Sequence, residues 1–279
     1  INSVNVDGEN FTWETDFTFS LNRNEVLDLG GEMTSFLSGT KGTTIIQNAF
    51  PYMVKEGEPL GSFYGYVFGG IYQNESEAAA HGFGPDKVGA IRFKDLNGDD
   101  VIDDSDRKII GHAMPDFFGS LNNTFSYKNF DLTVFLNFVF GNDVLNKHIQ
   151  TGGYLISSSS DTRNLYEEVY HNYWRGEGTS DKWPKPGSGV VEKRVHSNLL
   201  EDGSFLRCNL LRLGYNVPVK YVSWVDRLKI YISSENLFLI DNYKYGYDPE
   251  VNTRQMHNVD MGIDNAGYPR TRNFILGLN

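Results

Sequence analysis

Phe130-Asp131-Leu132-Thr133-Val134-Phe135-Leu136-Asn137-Phe138-Val139-Phe140 alternates from end to end. Phe130, Leu132, Val134, Leu136, Phe138 and Phe140 share one face, which is wholly apolar. The opposite face opens with Asp131 and Thr133 and includes Asn137. A period of two sends successive side chains to opposite sides of a strand. Strands of about 9–11 residues with unlike faces have the length that crosses a bilayer at a tilt. Outward from this stretch, only Lys128 and Asn129 separate it from a preceding strand over residues 119–127, which predicts a tight hairpin. Residues 11–21 repeat the pattern, with Phe11, Trp13, Phe17, Phe19 and Leu21 against Thr12, Glu14, Asp16, Thr18 and Ser20. Near the end, Phe274, Leu276 and Leu278 oppose Asn273, Gly277 and Asn279. Further strands are expected over residues 61–71, 204–216 and 228–237. The best helix candidate is residues 161–174, inside a loop.

The connections give a second signal. Residues 73–116 and 141–203 are long polar excursions, whereas the links at 128–129 and 217–226 are short. Long and short connections alternate in bacterial barrels that carry long extracellular loops and short periplasmic turns. A soluble β-sandwich also alternates. Its loops lack this asymmetry, and the large Phe and Leu side chains on several strands would need a second sheet to bury them. These signals favour an all-β fold built as an antiparallel transmembrane β-barrel with long extracellular loops, with the β-sandwich as the alternative; the family resemblance given below makes it a segment of a large barrel.

Composition agrees. The mean hydropathy of −0.41 and the lack of an apolar run of roughly 18–20 residues exclude a bundle of membrane helices, but not a barrel. Aromatic residues reach 14%, as expected of girdles at two lipid interfaces. A net charge of −11 without a basic stripe argues against nucleic acid as partner. The single cysteine, Cys208, excludes an intramolecular disulfide and reads as a small buried or lipid-facing residue. The chain opens at Ile1 on strand-like sequence and stops at Asn279 within an alternating run, so residues 1–279 read as a fragment of a longer protein.

The most specific chemical motif is Asp95-Leu96-Asn97-Gly98-Asp99-Asp100-Val101-Ile102-Asp103-Asp104-Ser105-Asp106. Asp95, Asn97, Asp99, Asp103 and Asp106 place side-chain oxygens at loop positions 1, 3, 5, 9 and 12, and Val101 offers its carbonyl at position 7. That spacing wraps a chain round a hard cation, and Ca²⁺ takes 6–8 oxygens at such a site. Asp106 stands where a bidentate Glu is usual, Asp100 stands where glycine is usual, and long helices do not flank the loop. The competing reading is an acidic turn closed by Asx hydrogen bonds. An acid–base pair such as Asp99 with Asp103 would need one carboxyl shifted by a special environment, which a polar loop does not provide. The six histidines are scattered, and no nucleophile elbow, phosphate loop or zinc spacing occurs. No catalytic residue is assigned and no enzyme is expected. Tyr154, Tyr166, Tyr170, Tyr173, Trp174 and Trp183 in the long loop either stack on a substrate or, more in keeping with such loops, pack it.

Several segments together resemble the SusC/RagA family of TonB-linked outer-membrane transporters along nearly the whole chain. In order these are Glu56-Gly57-Glu58-Pro59-Leu60-Gly61-Ser62-Phe63-Tyr64-Gly65-Tyr66, the acidic loop running into Asp106-Arg107-Lys108-Ile109-Ile110-Gly111, and Asn123-Thr124-Phe125-Ser126-Tyr127 with the hairpin after it. Glu201-Asp202-Gly203-Ser204-Phe205-Leu206-Arg207, Ser234-Glu235-Asn236-Leu237-Phe238, Gly246-Tyr247-Asp248-Pro249-Glu250 and Tyr268-Pro269-Arg270-Thr271-Arg272-Asn273-Phe274 follow. The resemblance implies the C-terminal portion of the barrel, roughly the last seven strands of a plugged 22-stranded wall. The plug, the TonB box and the family's terminal aromatic lie outside the sequence. It further implies uptake of oligosaccharides or peptides across the outer membrane of Bacteroidetes-type bacteria, with a SusD-like surface lipoprotein as lid and TonB as partner. The apolar faces would meet lipid, and the acidic loop would lie outside the cell. The alternative carried beside it is a secreted, soluble, calcium-dependent carbohydrate-binding module.

Overall fold

The computed structural model describes residues 1–39, 50–154, 164–187, 194–218, 225–251, 261–265 and 267–279. Its strands are β1 (Asn2–Asp7), β2 (Phe11–Ser20), β3 (Ser35–Ser38), β4 (Tyr52–Lys55), β5 (Ser62–Tyr66), β6 (Phe68–Ile71), β7 (Ile91–Phe93), β8 (Arg107–His112), β9 (Phe117–Tyr127), β10 (Phe130–Phe140) and β11 (Asp143–Asn146). They continue with β12 (Leu200–Asp202), β13 (Phe205–Val217), β14 (Leu228–Glu235), β15 (Leu239–Asp241), β16 (Ile263–Asp264) and β17 (Asn273–Leu278). Three short helices, α1 (Glu75–Ala80), α2 (Lys147–Gly153) and α3 (Glu167–Asn172), lie in the connections.

The long alternating strands form one antiparallel sheet in the order β1-β2-β9-β10-β13-β14-β17, with β15 also pairing β13. β14 and β15 act as one strand broken at Asn236, whose φ of 52° turns the chain before Cys208 and Phe238 resume pairing. The hairpin expected at residues 128–129 is present, with Phe130 opposite Tyr127 and Lys128 at φ 53°. Lys128 thus takes the left-handed conformation that a two-residue hairpin turn demands.

Pairing carries the two-faced pattern across the sheet. Val134 on the apolar side lies between Asn123 and Leu211, and Leu213 then faces Ile232, itself opposite Leu276. On the polar side Asp131 binds Lys229 at 2.7 Å, and the Arg212 guanidinium lies 4.7 Å over the Tyr231 ring. Aromatic rings gather at both ends of the apolar face. Phe130 meets Tyr215 at 4.7 Å near the hairpin, and Phe117 stacks on Phe140 at 5.3 Å at the far end. Ten residue steps at about 3.3 Å, tilted by about 40°, set these bands about 25 Å apart, the height of an outer-membrane barrel's apolar belt. Gly119 lies between Phe19 and Phe138. A Cβ there would run into the Thr18 carbonyl oxygen and stand 2.7 Å from Phe138 Cζ, so glycine is what fits between the two.

One polar feature interrupts the apolar face. Asn123 Oδ1 accepts from Trp13 Nε1 at 2.9 Å and Thr15 Oγ1 at 2.7 Å. Asn5 Nδ2 donates to Thr15 Oγ1 at 2.7 Å, and Ser3 Oγ donates to Asn5 Oδ1 at 2.9 Å. The result is a hydrogen-bonded ladder across β1, β2 and β9.

The remaining strands build a separate assembly at the end of the sheet away from the hairpin: sheets β3-β4-β5-β8, β12-β11-β16 and β6-β7. The single strand expected over residues 61–71 is two strands, because Tyr66 pairs with β8 while Phe68 pairs with β7. The chain changes sheets at Val67. The helix expected over residues 161–174 is short: α3 covers only Glu167–Asn172, and residues 161–163 lie outside the described residues. The assembly has its own core, in which Phe63, Ile71, Leu145 and Trp183 are buried. Trimming Ile71 to valine there is expected to cost about 0.5–1.5 kcal/mol, read as a lowered Tm of this loop region. No second sheet covers the apolar face among the described residues.

Candidate functional site

The acidic loop sits on the surface of this assembly and is closed by its own backbone amides. Asp95 Oδ1 accepts from Gly98 N at 2.6 Å and Oδ2 from Asp100 N at 2.8 Å. Those two bonds hold its carboxyl below the usual range. Asn97 Oδ1 accepts from Asp99 N at 3.1 Å, and Asp99 Oδ1 from Val101 N at 2.9 Å. Asp103 Oδ1 accepts from Ser105 N at 2.7 Å. Asp106 is fully buried: it takes Leu96 N at 2.8 Å and Asp103 N at 2.9 Å, which pins both ends of the loop. Ile102 turns inward and joins the core.

Asp100 has φ 63°, the left-handed conformation for which cation loops carry glycine at the sixth position. Aspartate is among the few other residues that enter this region. The donors therefore have the oxygen chemistry and chain path of a hard-cation loop. Their oxygens are spread over separate turns, however, and among the described residues no group of three or more carboxylates, imidazoles or thiolates stands close enough to hold a metal ion.

The loop aromatics mainly pack. Tyr154, Trp183 and Val169 are buried in the assembly core, whereas Tyr170 is exposed. Around them is a cluster that sequence reading missed. Tyr245 donates to Glu168 Oε2 at 2.6 Å, and Lys182 Nζ donates to Tyr245 Oη at 2.7 Å while lying 3.2 Å from Glu168 Oε1. The Tyr245 hydroxyl, with Lys182 beside it, holds the Glu168 carboxyl below its ordinary value. Burial pushes the Tyr166 phenol up to about 12, so it remains a donor, to the Tyr245 carbonyl at 2.7 Å.

A second cluster, this one buried, centres on Asp264. Tyr243 donates to Asp264 Oδ2 at 2.6 Å, and Gly267 N donates to Oδ1 at 3.1 Å. His148 Nε2 lies 3.5 Å from Oδ1. Burial opposes ionisation of Asp264, yet the bonds from His148, Tyr243 and Gly267 outweigh it and hold the carboxyl low. A depressed carboxyl stabilises the fold fully above its unfolded value of about 3.9. That contribution fades as pH falls through the lower native value. Asp264→Asn is therefore expected to flatten the acid limb of stability below about pH 4, measured by thermal unfolding across a pH series.

Three of the segments singled out in the sequence meet at one ion network. Arg207 on β13 is buried and binds Asp248, with its Nε 3.6 Å from Glu250 Oε2. Arg270 binds Glu250 at 2.9 Å and lies 3.8 Å from Asp248. The sheet wall, the 246–250 loop and the approach to β17 are thereby tied together. Cys208, next in line, is buried as expected.

No family model matches the chain. Among curated proteins it is 35% identical over its whole length to TonB-dependent receptor P3 of Formosa agariphila, covering 28% of that protein. It is 26% identical over its whole length to TonB-dependent receptor SusC of Bacteroides thetaiotaomicron, covering 25% of it. Among solved structures, 99% of the chain superposes on 27% of a chain of the RagAB peptide importer in its open-open state, with TM-score 0.72 and 17% identity. For the closed-closed state the TM-score is 0.73 at 16% identity. The chain thus spans about a quarter of the proteins it matches, and its fold is that of part of a chain of the RagAB peptide importer.

Proposed function

The chain is kin along its whole length to the TonB-dependent receptors, and from that premise we propose that it forms part of the wall and outer loops of an outer-membrane β-barrel importing oligosaccharides or peptides. The observation that carries the reading is the two-faced sheet, apolar on one side with an aromatic band at each end and polar on the other. Its apolar face meets lipid, its polar face lines the lumen, and the loop assembly stands on the extracellular side. In this reading the chain is the C-terminal portion of the barrel. A SusD-like surface lipoprotein caps the assembly, and TonB acts through the rest of the protein. The relatives are receptors and transporters, and no catalytic step is assigned to this chain. They do not support the soluble carbohydrate-binding module.

The test is deletion of the gene in a Bacteroidetes-type host, followed by uptake of labelled oligosaccharide and peptide pools and by membrane fractionation of the wild-type protein. Loss of uptake of one pool, with the protein extracted only by detergent from outer membranes, is expected. Recovery of the protein in a detergent-free soluble fraction would overturn the proposal.

We also propose that the acidic loop takes Ca²⁺ through Asp95, Asn97, Asp99, the Val101 carbonyl, Asp103 and Asp106. Oxygen donors at the required spacing and the left-handed sixth residue support it. Because the cage is not preformed, binding requires the carboxylates to swing inward, so affinity is expected in the weak extracellular range of about 0.1–1 mM. Ca²⁺ at such concentrations is expected to raise the Tm of the protein, and Asp95→Ala is expected to remove the rise. Equal Tm values in Ca²⁺ and in chelator would sink this assignment.

A further inference from the structure

We propose that Asn97-Gly98 is a latent deamidation site, which the folded acidic loop holds shut. It is the single Asn-Gly pair in the sequence. Glycine offers no side chain to shield its backbone nitrogen, and around Gly98 the space a Cβ would occupy is open. In a flexible chain the reaction runs without a catalyst beyond water. The Gly98 nitrogen gives up its proton and bonds to Asn97 Cγ, and the Cγ–Nδ2 bond breaks. Nδ2 leaves with a proton as ammonia. Water then opens the five-membered imide at either carbonyl, leaving aspartate or isoaspartate. One water is consumed, one ammonia is released, and no electrons are transferred.

The loop blocks the first step in two ways. The Gly98 N–H is held by Asp95 Oδ1 at 2.6 Å, and Asp99 and Asp100 follow it in the chain, so a negative nitrogen would form among negative charges. The carboxamide is also fastened at both ends. Its Oδ1 accepts from Asp99 N at 3.1 Å, and its Nδ2 donates to Asp99 Oδ2 at 2.9 Å. Attack by the Gly98 nitrogen on Cγ has to compete with both bonds. Holding reacting atoms out of attack geometry suppresses such a step strongly. Once the loop opens and the imide forms, isoaspartate lengthens the backbone by one carbon and removes the amide donor. On isoaspartate the original turns then cannot reform, so the product accumulates with the time the loop spends open.

The test follows the tryptic peptide of residues 95–107 by mass spectrometry while the protein, in detergent micelles, is incubated at mildly alkaline pH. Folded protein is expected to convert at least about tenfold more slowly than a synthetic peptide of the same sequence. Asp95→Ala and Asp99→Ala are each expected to accelerate conversion, with Asp95→Asn, which keeps an acceptor, in between. Peptides carrying the other asparagines are expected to stay unchanged, which separates local release from unfolding. Should Asp95→Ala unfold the whole protein, Asp99→Ala and the comparison of folded protein with peptide decide the matter. Conversion of the folded wild type at the peptide's rate, or unchanged rates in both folded variants, overturns the proposal.

Discussion

Arginine at Val134 is expected to cut the yield of assembled protein in outer membranes more than about tenfold, whereas arginine at Thr124 is expected to leave it nearly unchanged. Val134 lies near the middle of the apolar face, between Asn123 and Leu211. An arginine facing lipid at that depth costs about 2–4 kcal/mol, because its charge must reach water past the barrel's full apolar belt. Thr124 belongs to the polar face, opposite Thr133 and beside Glu14, where a guanidinium finds both water and a carboxylate. The readout is the fraction migrating as the folded, heat-modifiable species. Equal yields from the two variants would show that the apolar face does not meet lipid.

Arg207→Ala is expected to loosen the loop assembly by about 3–5 kcal/mol, the usual consequence of removing one partner from a buried ion pair. The Arg207 and Asp248 side chains are 3% and 10% exposed, so the lost cation leaves Asp248 with little solvent to replace it. Arg270 is 45% exposed, and Arg270→Ala is expected to cost no more than about 1 kcal/mol. Hydrogen exchange across residues 246–251 and the Tm of the protein separate the two outcomes. A similar cost for both variants would place the stabilisation elsewhere. Lysine at 207 is expected to restore only part, since a point charge cannot serve Asp248 and Glu250 with the geometry of a guanidinium.

The wall was legible in sequence because a strand with unlike faces writes its period directly into residue order. Residues 130–140, 11–21 and the 128–129 turn are found where alternation places them. The loop assembly was harder to read. Its strands are two to six residues long, too short for a period to show, and residues 61–71 looked like one strand because chain continuity hides a change of sheet at Val67. The acidic loop was visible as spacing, but spacing could not tell that the carboxylates bind backbone amides rather than converge. The Asp264 and Glu168 clusters and the Arg207 network join residues far apart in the chain. The segments holding Arg207, Asp248 and Arg270 stood out individually, yet nothing in residue order says that they touch.

The ladder of Ser3, Asn5, Thr15, Trp13 and Asn123 answers a problem that alternation alone leaves open. Sliding β2 by two residues along β9 keeps every apolar side chain on the apolar face, so the hydrophobic pattern cannot distinguish the slipped pairing from the true one. The slip would carry Thr15 opposite Leu121 or Phe125 and strand the Asn123 carboxamide. In the proposed bilayer setting no water replaces those bonds, and the penalty is on the order of several kcal/mol for each orphaned group. A row of polar side chains that looks like a flaw in an apolar surface is thus expected to act as an alignment check during assembly, rejecting the one class of mispairing that greasy residues cannot detect.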